Sequence, residues 1–311
     1  MQTQLPKLFL ERLRLIVPHQ RWEGVLRTFG CPLAYSLRVN TPKATVVQLK
    51  EDLQREGIQF HLVPWFEQGL VIPEVGLHES KINEMIGQGI LYKQSLSSMM
   101  PAMVLDPQPG EYVLDLCAAP GSKTSQMAAM MEKQGRLVAV ENIRSRYYKL
   151  QVVLKQLGVT NVQTKLIDGR RFRSQELFDK ILVDAPCSSE GRFKIDHPKS
   201  WAYWSLRKIR EMVRKQRGLL LNASRLLKSG GVLVYSTCTF APEENEVVLD
   251  WLLKKTNGLL KLQPISLVGI EFYPAILEWQ GKRFRDEIRH CFRVLPTKEM
   301  EGFFIAKLVK V

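Results

Sequence analysis

The amino-acid sequence predicts an α/β protein, in which a small α+β domain precedes a mostly parallel, doubly wound sheet that finishes in an antiparallel pair. Three observations carry this. From about Gly110 onward, apolar runs of strand length alternate with helix-length segments, the pattern of parallel strands joined by crossovers and covered on both faces. The last two strand-like runs, His290–Leu295 and Gly302–Val309, are joined by Pro296–Glu301, which leaves no room for a crossover helix, so they pair antiparallel. Residues 1–80 instead mix short helical and alternating patterns.

Leu8, Arg12 and Leu15 share one helical face beginning near Leu5, Pro18 interrupts it, and a second short helix spans Trp22–Phe29. Tyr35–Val39 alternates as a strand, and Val46, Leu49 and Leu53 then recur at helical spacing until Gly57. Short strands follow near Ile58–Val63 and Leu70–Ile72. Residues 1–80 thus read as an α+β, RNA-recognition-like domain, either a nucleic-acid platform or a structural lid, with residues 81–109 connecting it to a catalytic domain over 110–311. In that domain the strands are Tyr112–Leu116, Arg136–Val140, Val162–Ile167, Lys180–Val183 and Gly231–Tyr235, while Leu260–Arg285 shows no legible pattern. A parallel sheet closed by an antiparallel pair matches the Rossmann-like fold of S-adenosylmethionine-dependent methyltransferases better than that of a dehydrogenase.

Forty-five Lys and Arg against 31 Asp and Glu leave a net charge of +14 over 311 residues, which calls for a polyanionic partner, nucleic acid or an anionic lipid surface. No apolar run approaches the roughly 20 residues that span a bilayer, so no membrane partner is expected. Cys31, Cys117, Cys187, Cys238 and Cys291 are odd in number and contain no CxxC pair; neither a disulfide framework nor a zinc ribbon fits, and no metal is expected. Free thiols and the absence of a secretory signal over Met1–Pro6 indicate a cytoplasmic protein. Nothing in the sequence calls for an obligate protein partner.

In an open α/β sheet a ligand binds at the carboxyl ends of the strands, near the point where strand order reverses. The first strand of the large domain runs into Cys117-Ala118-Ala119-Pro120-Gly121-Ser122-Lys123, where small residues allow close approach of backbone and Ser122 or Lys123 opens a helix whose free N–H groups face the site. There is no GxGxxG, which disfavours a dinucleotide; an ordinary tight β–α turn is the alternative. The second strand ends in Glu141, a carboxylate suited to a ribose diol, with Arg146 five residues on. The third ends at Asp168, which can accept from an adenine amino group.

The fourth strand ends in Asp184-Ala185-Pro186-Cys187 and the fifth in Ser236-Thr237-Cys238. Neighbouring strands lie about 4.8 Å apart, so adjacent placement opens both thiols onto one pocket. Such a pair suits methylation at carbon 5 of cytosine. That carbon becomes nucleophilic only after a thiolate adds to carbon 6 while an acid protonates ring nitrogen 3, and a further group must assist release. Cys238, Asp184 and Cys187 can fill these roles. Asp184 then holds a proton or shares one with the substrate, which burial favours and nearby Lys123 opposes.

CAAPGSKT at Cys117–Thr124, DAPCSSEG at Asp184–Gly191 and STCT at Ser236–Thr239 resemble the Nol/Nop/Sun family of RNA cytosine-5 methyltransferases. YKQSLSSMMP at Tyr92–Pro101, EEN at Glu243–Asn245 and EGFFIAKL at Glu301–Leu308 fit the same pattern, and the N-terminal LPKLFLERL and SLRVNTPKA, with Pro64-Trp65, are most similar to its bacterial 16S ribosomal RNA branch. The resemblance implies S-adenosylmethionine as cofactor and RNA as partner, ribosomal before transfer RNA. It makes Cys238 the nucleophile and Cys187 the release group, sets Cys117–Lys123, Glu141, Arg146, Asp168 and Asp184 around the cofactor, and brings Lys123 and Asp184 to the base. DNA cytosine-5 methyltransferases attack with the PC cysteine instead, so that alternative exchanges the two. An RNA-binding assembly factor without catalysis is the other class. Ser189 stands where glycine commonly follows PCS or PCT, and the larger ribosomal members carry a further C-terminal RNA-binding region not seen here.

From Arg192 to Arg217 nine Lys and Arg stand against Asp196 and Glu211. Arg207, Arg210, Arg214 and Arg217 fall on one side of the expected helix, beside an apolar face of Leu206, Ile209 and Val213. This stripe is either a phosphate-binding face or a solvated one. Trp201, Tyr203 and Trp204 precede it, placed to stack unpaired bases or to anchor the helix.

Overall fold

The structure is a computed structural model describing residues 5–311; the first four residues of the stretch without a secretory signal lie outside it. Helices α1 (Lys7–Ile16) and α2 (Trp22–Phe29) are separated at Pro18, where the chain turns extended. The sequence assigns them to the N-terminal domain, and their residues Phe9, Leu13, Val25 and Phe29 bury against Phe193, Phe240 and Leu295. Packing ties these helices to the catalytic domain, because that is where the complementary aromatic surface lies.

The small sheet comprises β1 (Tyr35–Val39), β2 (His61–Val63), β3 (Phe66–Ile72) and β4 (Leu91–Lys93), with α3 (Val46–Arg55) and α4 (Glu79–Gly87). Its order is β2-β3-β1-β4, antiparallel throughout. The alternation of β1 sends Leu37 and Val39 onto Leu49, Leu53 and Ile82, and a Thr45–Gln48 capping box starts α3. β3 starts four residues before the expected Leu70, since its half-exposed start (Glu67, Gln68) reads as loop. Residues 81–109 do more than connect. Most of α4 and all of β4 complete the small sheet, whereas α5 (Leu96–Leu105) buries Met100, Ala102 and Leu105 against the large one.

The large sheet is built from β5 (Tyr112–Asp115), α6 (Ser122–Met130), β6 (Arg136–Glu141), α7 (Arg144–Gln156), β7 (Val162–Leu166), β8 (Phe178–Asp184), α8 (Leu206–Leu226), β9 (Leu227–Thr237) and α9 (Glu246–Lys255). It continues through β10 (Leu260–Gln263), β11 (Tyr273–Pro274), a small separate hairpin of β12 (Glu278–Trp279) and β13 (Lys282–Arg283), then β14 (Phe292–Val294) and β15 (Phe303–Lys310). The order is β11-β14-β15-β9-β8-β5-β6-β7, with β10 also pairing β15. Strands β5 to β9 run parallel, and β15 lies antiparallel to both β9 and β14. This is the methyltransferase variant of the Rossmann-like fold. Order reverses between β5 and β8, so the ligand crevice opens at their carboxyl ends.

Where β14 meets the base of α9, Arg293 and Glu246 form a buried two-pronged ion pair, 4% and 0% exposed, at 2.8 and 2.6 Å. Arg293 also donates to the carbonyl of Phe240. Removing one partner strands the other charge in the interior. Arg293→Ala should therefore cost about 3–5 kcal/mol in denaturant unfolding; a loss under about 1 kcal/mol would show that the pair does not brace this edge.

Candidate active site

The first wall of the site is the β5–α6 loop. Asp115, buried at the end of β5, accepts from Thr124 Oγ1 (2.7 Å) and from the amide of Cys117 (3.3 Å), and burial pushes its carboxyl up to about 6. The amide of Ala118 donates to the carbonyl of Val140, fixing the loop beside β6. Gly121 is left-handed (φ 112°), and a Cβ there would meet Leu150 and Val153 at 3.1 and 3.2 Å. Glycine is required on both counts. It turns the chain into α6 so that Lys123, 8% exposed, reaches Asp184 Oδ2 at 2.8 Å and Ser98 Oγ at 2.7 Å.

Glu141, at the end of β6, is buried. Its Oε1 accepts from the amides of Asn142 and Ile143 (2.9 and 2.8 Å), while Oε2 lies 3.6 Å from Arg146. Arg146 also donates to the carbonyl of Ala119 at 2.7 Å. Asp168 is held below its usual range by Arg170, whose Nη2 and Nε donate at 2.5 and 3.0 Å. Arg170 had no sequence signal.

One cavity of about 780 Å³ is lined by all the cofactor and catalytic residues expected from the sequence except Gly121, whose role is in the turn behind the wall. The donor set fits S-adenosylmethionine: Glu141 keeps one oxygen free of backbone partners for a diol, Ala118 and Ala119 line the cavity with side chains small enough for close approach, and Asp168 supplies a further acceptor on its wall.

At the other end stand the cysteines. Parallel pairing sets Asp184 opposite Ser236, whose hydroxyl donates to Asp184 Oδ1 at 2.7 Å. Three residues past Asp184 and two past Ser236, Cys187 Sγ and Cys238 Sγ are 3.4 Å apart. The two strand-end loops are clipped together. Gly191 donates its amide to the carbonyl of Cys238 (2.9 Å), Ser188 and Thr239 pair their hydroxyls (2.7 Å), and Glu190 accepts from Thr239 Oγ1 and the amide of Phe240. The two sulfurs are inequivalent. The hydrogen bond from Cys187 holds the Cys238 thiol below its ordinary range against burial, helped by the cation of Arg192. That same bond, burial and the nearby carboxyl of Glu244 push Cys187 up. Arg192 is steadied by Glu301 at 3.2 Å.

Behind Cys187, Glu244 is fully buried and accepts from the amide of Ser188 (3.0 Å) and from Gln216 Nε2 (2.8 Å), which also donates to the carbonyl of Pro186 (3.0 Å). Burial pushes Glu244 up to about 8. Of this bracing set, sequence reasoning quoted Glu190 and Glu244 only inside motifs, and missed Gln216. Its signal is a polar residue on the buried face of α8, in line with Ile209, Met212 and Leu219.

The basic helix is partly as expected. Arg207, Arg210 and Arg214 are exposed and make no ion pair among the described residues, while Lys208 and Lys215 pair with Glu211. Arg217 departs from the stripe and folds over the ring of Trp251, 5.1 Å away. Trp201 and Trp204 are anchors in the cluster around Phe9, with Trp204 donating to Glu190, and Tyr203 is left 89% exposed. Among the described residues no helix is long and apolar enough to cross a membrane.

Residues 102–309 match the family model of the 16S rRNA methyltransferase RsmB/F, and residues 5–76 match the ferredoxin-like domain of RsmF/B-like methyltransferases. The chain is 39% identical to tRNA (cytosine(49)-C(5))-methyltransferase of Pyrococcus abyssi, over 90% of this chain and 89% of that protein. It is 36% identical to ribosomal RNA small subunit methyltransferase F of Shewanella amazonensis, over 99% of this chain but only 65% of that one. Among solved structures, a methyltransferase homolog from Pyrococcus horikoshii has a TM-score of 0.82 at 33% identity, covering 99% of this chain and 100% of its own. NSun6 from Pyrococcus horikoshii with SFG reaches 0.84 at 25% identity, with both chains fully covered.

The buried carboxyls set a pH dependence. Glu244 is protonated more readily folded (about 8) than at its ordinary 4.5, so its contribution to stability is full below the lower value and is lost as pH rises through the upper one. The unfolding free energy from denaturant titration should fall between about pH 5 and pH 8, by on the order of 3 kcal/mol, and Glu244→Gln should flatten most of that slope. An unchanged slope in the variant would place the titration elsewhere.

Proposed function

We propose a covalent mechanism acting on ribosomal RNA for this chain, which belongs to the 16S rRNA methyltransferase RsmB/F family and is an S-adenosylmethionine-dependent RNA cytosine-5 methyltransferase. Cys238 is the nucleophile. Its thiolate adds to carbon 6 of a cytosine turned out of its stack, and the Lys123–Asp184 pair at the base edge carries the proton taken up by ring nitrogen 3. S-adenosylmethionine supplies the methyl group as an electrophilic sulfonium carbon. Once Cys238 is bonded to carbon 6, Cys187 gives its own thiol proton to solvent through the open cavity. As the thiolate it removes the proton from carbon 5, the double bond to carbon 6 re-forms, and the Cys238 sulfur leaves with its bonding electrons. The proton on ring nitrogen 3 returns to the Lys123–Asp184 pair. Glu141, Arg146 and Asp168 hold the donor.

The observation that carries this reading is the 3.4 Å contact of two sulfurs on one cavity, with Cys238 favoured as the thiolate. A pair this close can serve adjacent carbons of one pyrimidine in both halves of the reaction. The fit to the 16S rRNA family model favours ribosomal RNA. A second reading, transfer RNA, is supported by the relative from Pyrococcus abyssi, most of whose length is matched. RNA is held along Arg207, Arg210 and Arg214 on the outer face of α8, which begins at the carboxyl edge of the sheet because it follows β8. Tyr203 offers a free ring beside them.

Three outcomes are expected. Cys238→Ala abolishes methyl transfer, whereas Cys187→Ala accumulates a protein–RNA adduct that survives denaturation; the reverse pattern would exchange the two roles. Labelled methyl groups enter small-subunit ribosomal RNA in preference to transfer RNA, and the opposite preference would install the second reading. Replacing Arg207, Arg210 and Arg214 together by glutamine reduces the slope of log K against log salt by about 2–3, and an unaltered slope would remove the stripe from the RNA interface.

A further inference from the structure

Ser189 sits between the two cysteine loops in a backbone conformation that does not suit it. Its φ of 58° lies in the left-handed region, where residues with a Cβ are strained and glycine is at ease. The turn itself has a clear purpose, since it lets Ser188 on one side and Glu190 and Gly191 on the other all reach residues 238–240. Glycine would make that turn without strain. Serine adds one thing only, a hydroxyl.

The other hydroxyls of the clip are committed to the protein: Ser188 Oγ and Thr239 Oγ1 to each other at 2.7 Å, and Thr237 Oγ1 to Asn245 Oδ1 at 2.6 Å. Ser189 Oγ lines the cavity, 3.9 Å from Cys187 Sγ, and its alternative acceptor, the carbonyl of Cys187, is a long 3.4 Å away. A hydroxyl proton rotates freely, and the two sulfurs are in contact, so one donor can serve either of them.

Resting on the covalent mechanism above, we propose that Ser189 is a further member of the thiol site, donating its hydroxyl hydrogen bond to whichever sulfur carries the negative charge. That sulfur is Cys238 before attack and Cys187 before it takes the carbon 5 proton. Strain kept at a reacting centre is a mark of function rather than of tolerance. The hydroxyl of Ser189 also joins the thiol of Cys187 and the cation of Arg192 in holding the Cys238 thiol low.

The test separates hydroxyl from backbone. Ser189→Gly and Ser189→Ala both remove the donor, but glycine relaxes the turn and alanine keeps it strained. The full-length protein and both variants are alkylated with iodoacetamide from about pH 5 to pH 10. After trypsin, peptides 181–192 and 229–254 report Cys187 and Cys238 separately. The Cys238 midpoint is expected to rise by about one pH unit in both variants, with up to a tenfold slower methyl transfer below neutral pH. A midpoint that stays put in either folded variant overturns the proposal, because the effect would then belong to the backbone or be absent. Glycine decides alone if the alanine variant does not fold. This failure is distinct from failure of the covalent mechanism, in which Cys238→Ala would still methylate.

Discussion

The parallel pairing of β8 with β9, with Asp184 opposite Ser236, is the constraint on which the rest of the site depends. Parallel neighbours deliver their carboxyl ends to the same edge, so the loops leaving them must share the space above the sheet. That shared space brings Cys187 and Cys238 into contact although 51 residues separate them. A shift of one residue in this register would turn one loop away from the cavity. Hence the investment in fixing it: a hydroxyl bridge below the sulfurs, a three-point clip around them and the buried Glu244–Gln216 brace behind.

These braces are mostly uncharged or singly charged groups in a dry interior, where each bond is strong and each unpaired group costly. Asp115, Glu190 and Glu244 are all buried and all pushed toward their protonated forms. They spend their oxygens on backbone amides and hydroxyls of the loops that carry Lys123, Cys187 and Cys238, and on the side chains of Trp204 and Gln216. Around the two thiols formal charge is kept for the cavity wall, where Lys123 meets Asp184 and Arg192 faces the sulfurs. The N-terminal elements contribute to the same surface. Ser98 at the start of α5 takes a hydrogen bond from Lys123, and Ser95 donates to Glu301, the anchor of Arg192.

Much of this was legible in the sequence where one rule dominates. Long apolar runs gave the five parallel strands, the short Pro296–Glu301 link gave the antiparallel pair, and strand-end polar residues gave the cavity lining. Legibility failed where tertiary contact overrides local pattern. Residues 260–285 hide strands of two to four residues, too short to show a period. Nothing in helices α1 and α2 announces that Phe193 and Phe240 lie beneath them. Arg217 has the spacing of the basic stripe but is claimed by Trp251, and Arg170 covers Asp168 from two residues away without any spacing rule to announce it.

The central claim, a single pyrimidine attacked by Cys238 and released by Cys187, is most directly tested with RNA carrying 5-fluorocytosine. Fluorine at carbon 5 leaves no proton to remove, so the covalent species cannot break down. With S-adenosylmethionine present, the account predicts a stable adduct on the peptide containing Cys238 alone. An adduct on the Cys187 peptide, or none at all on a protein that methylates ordinary RNA, would contradict it.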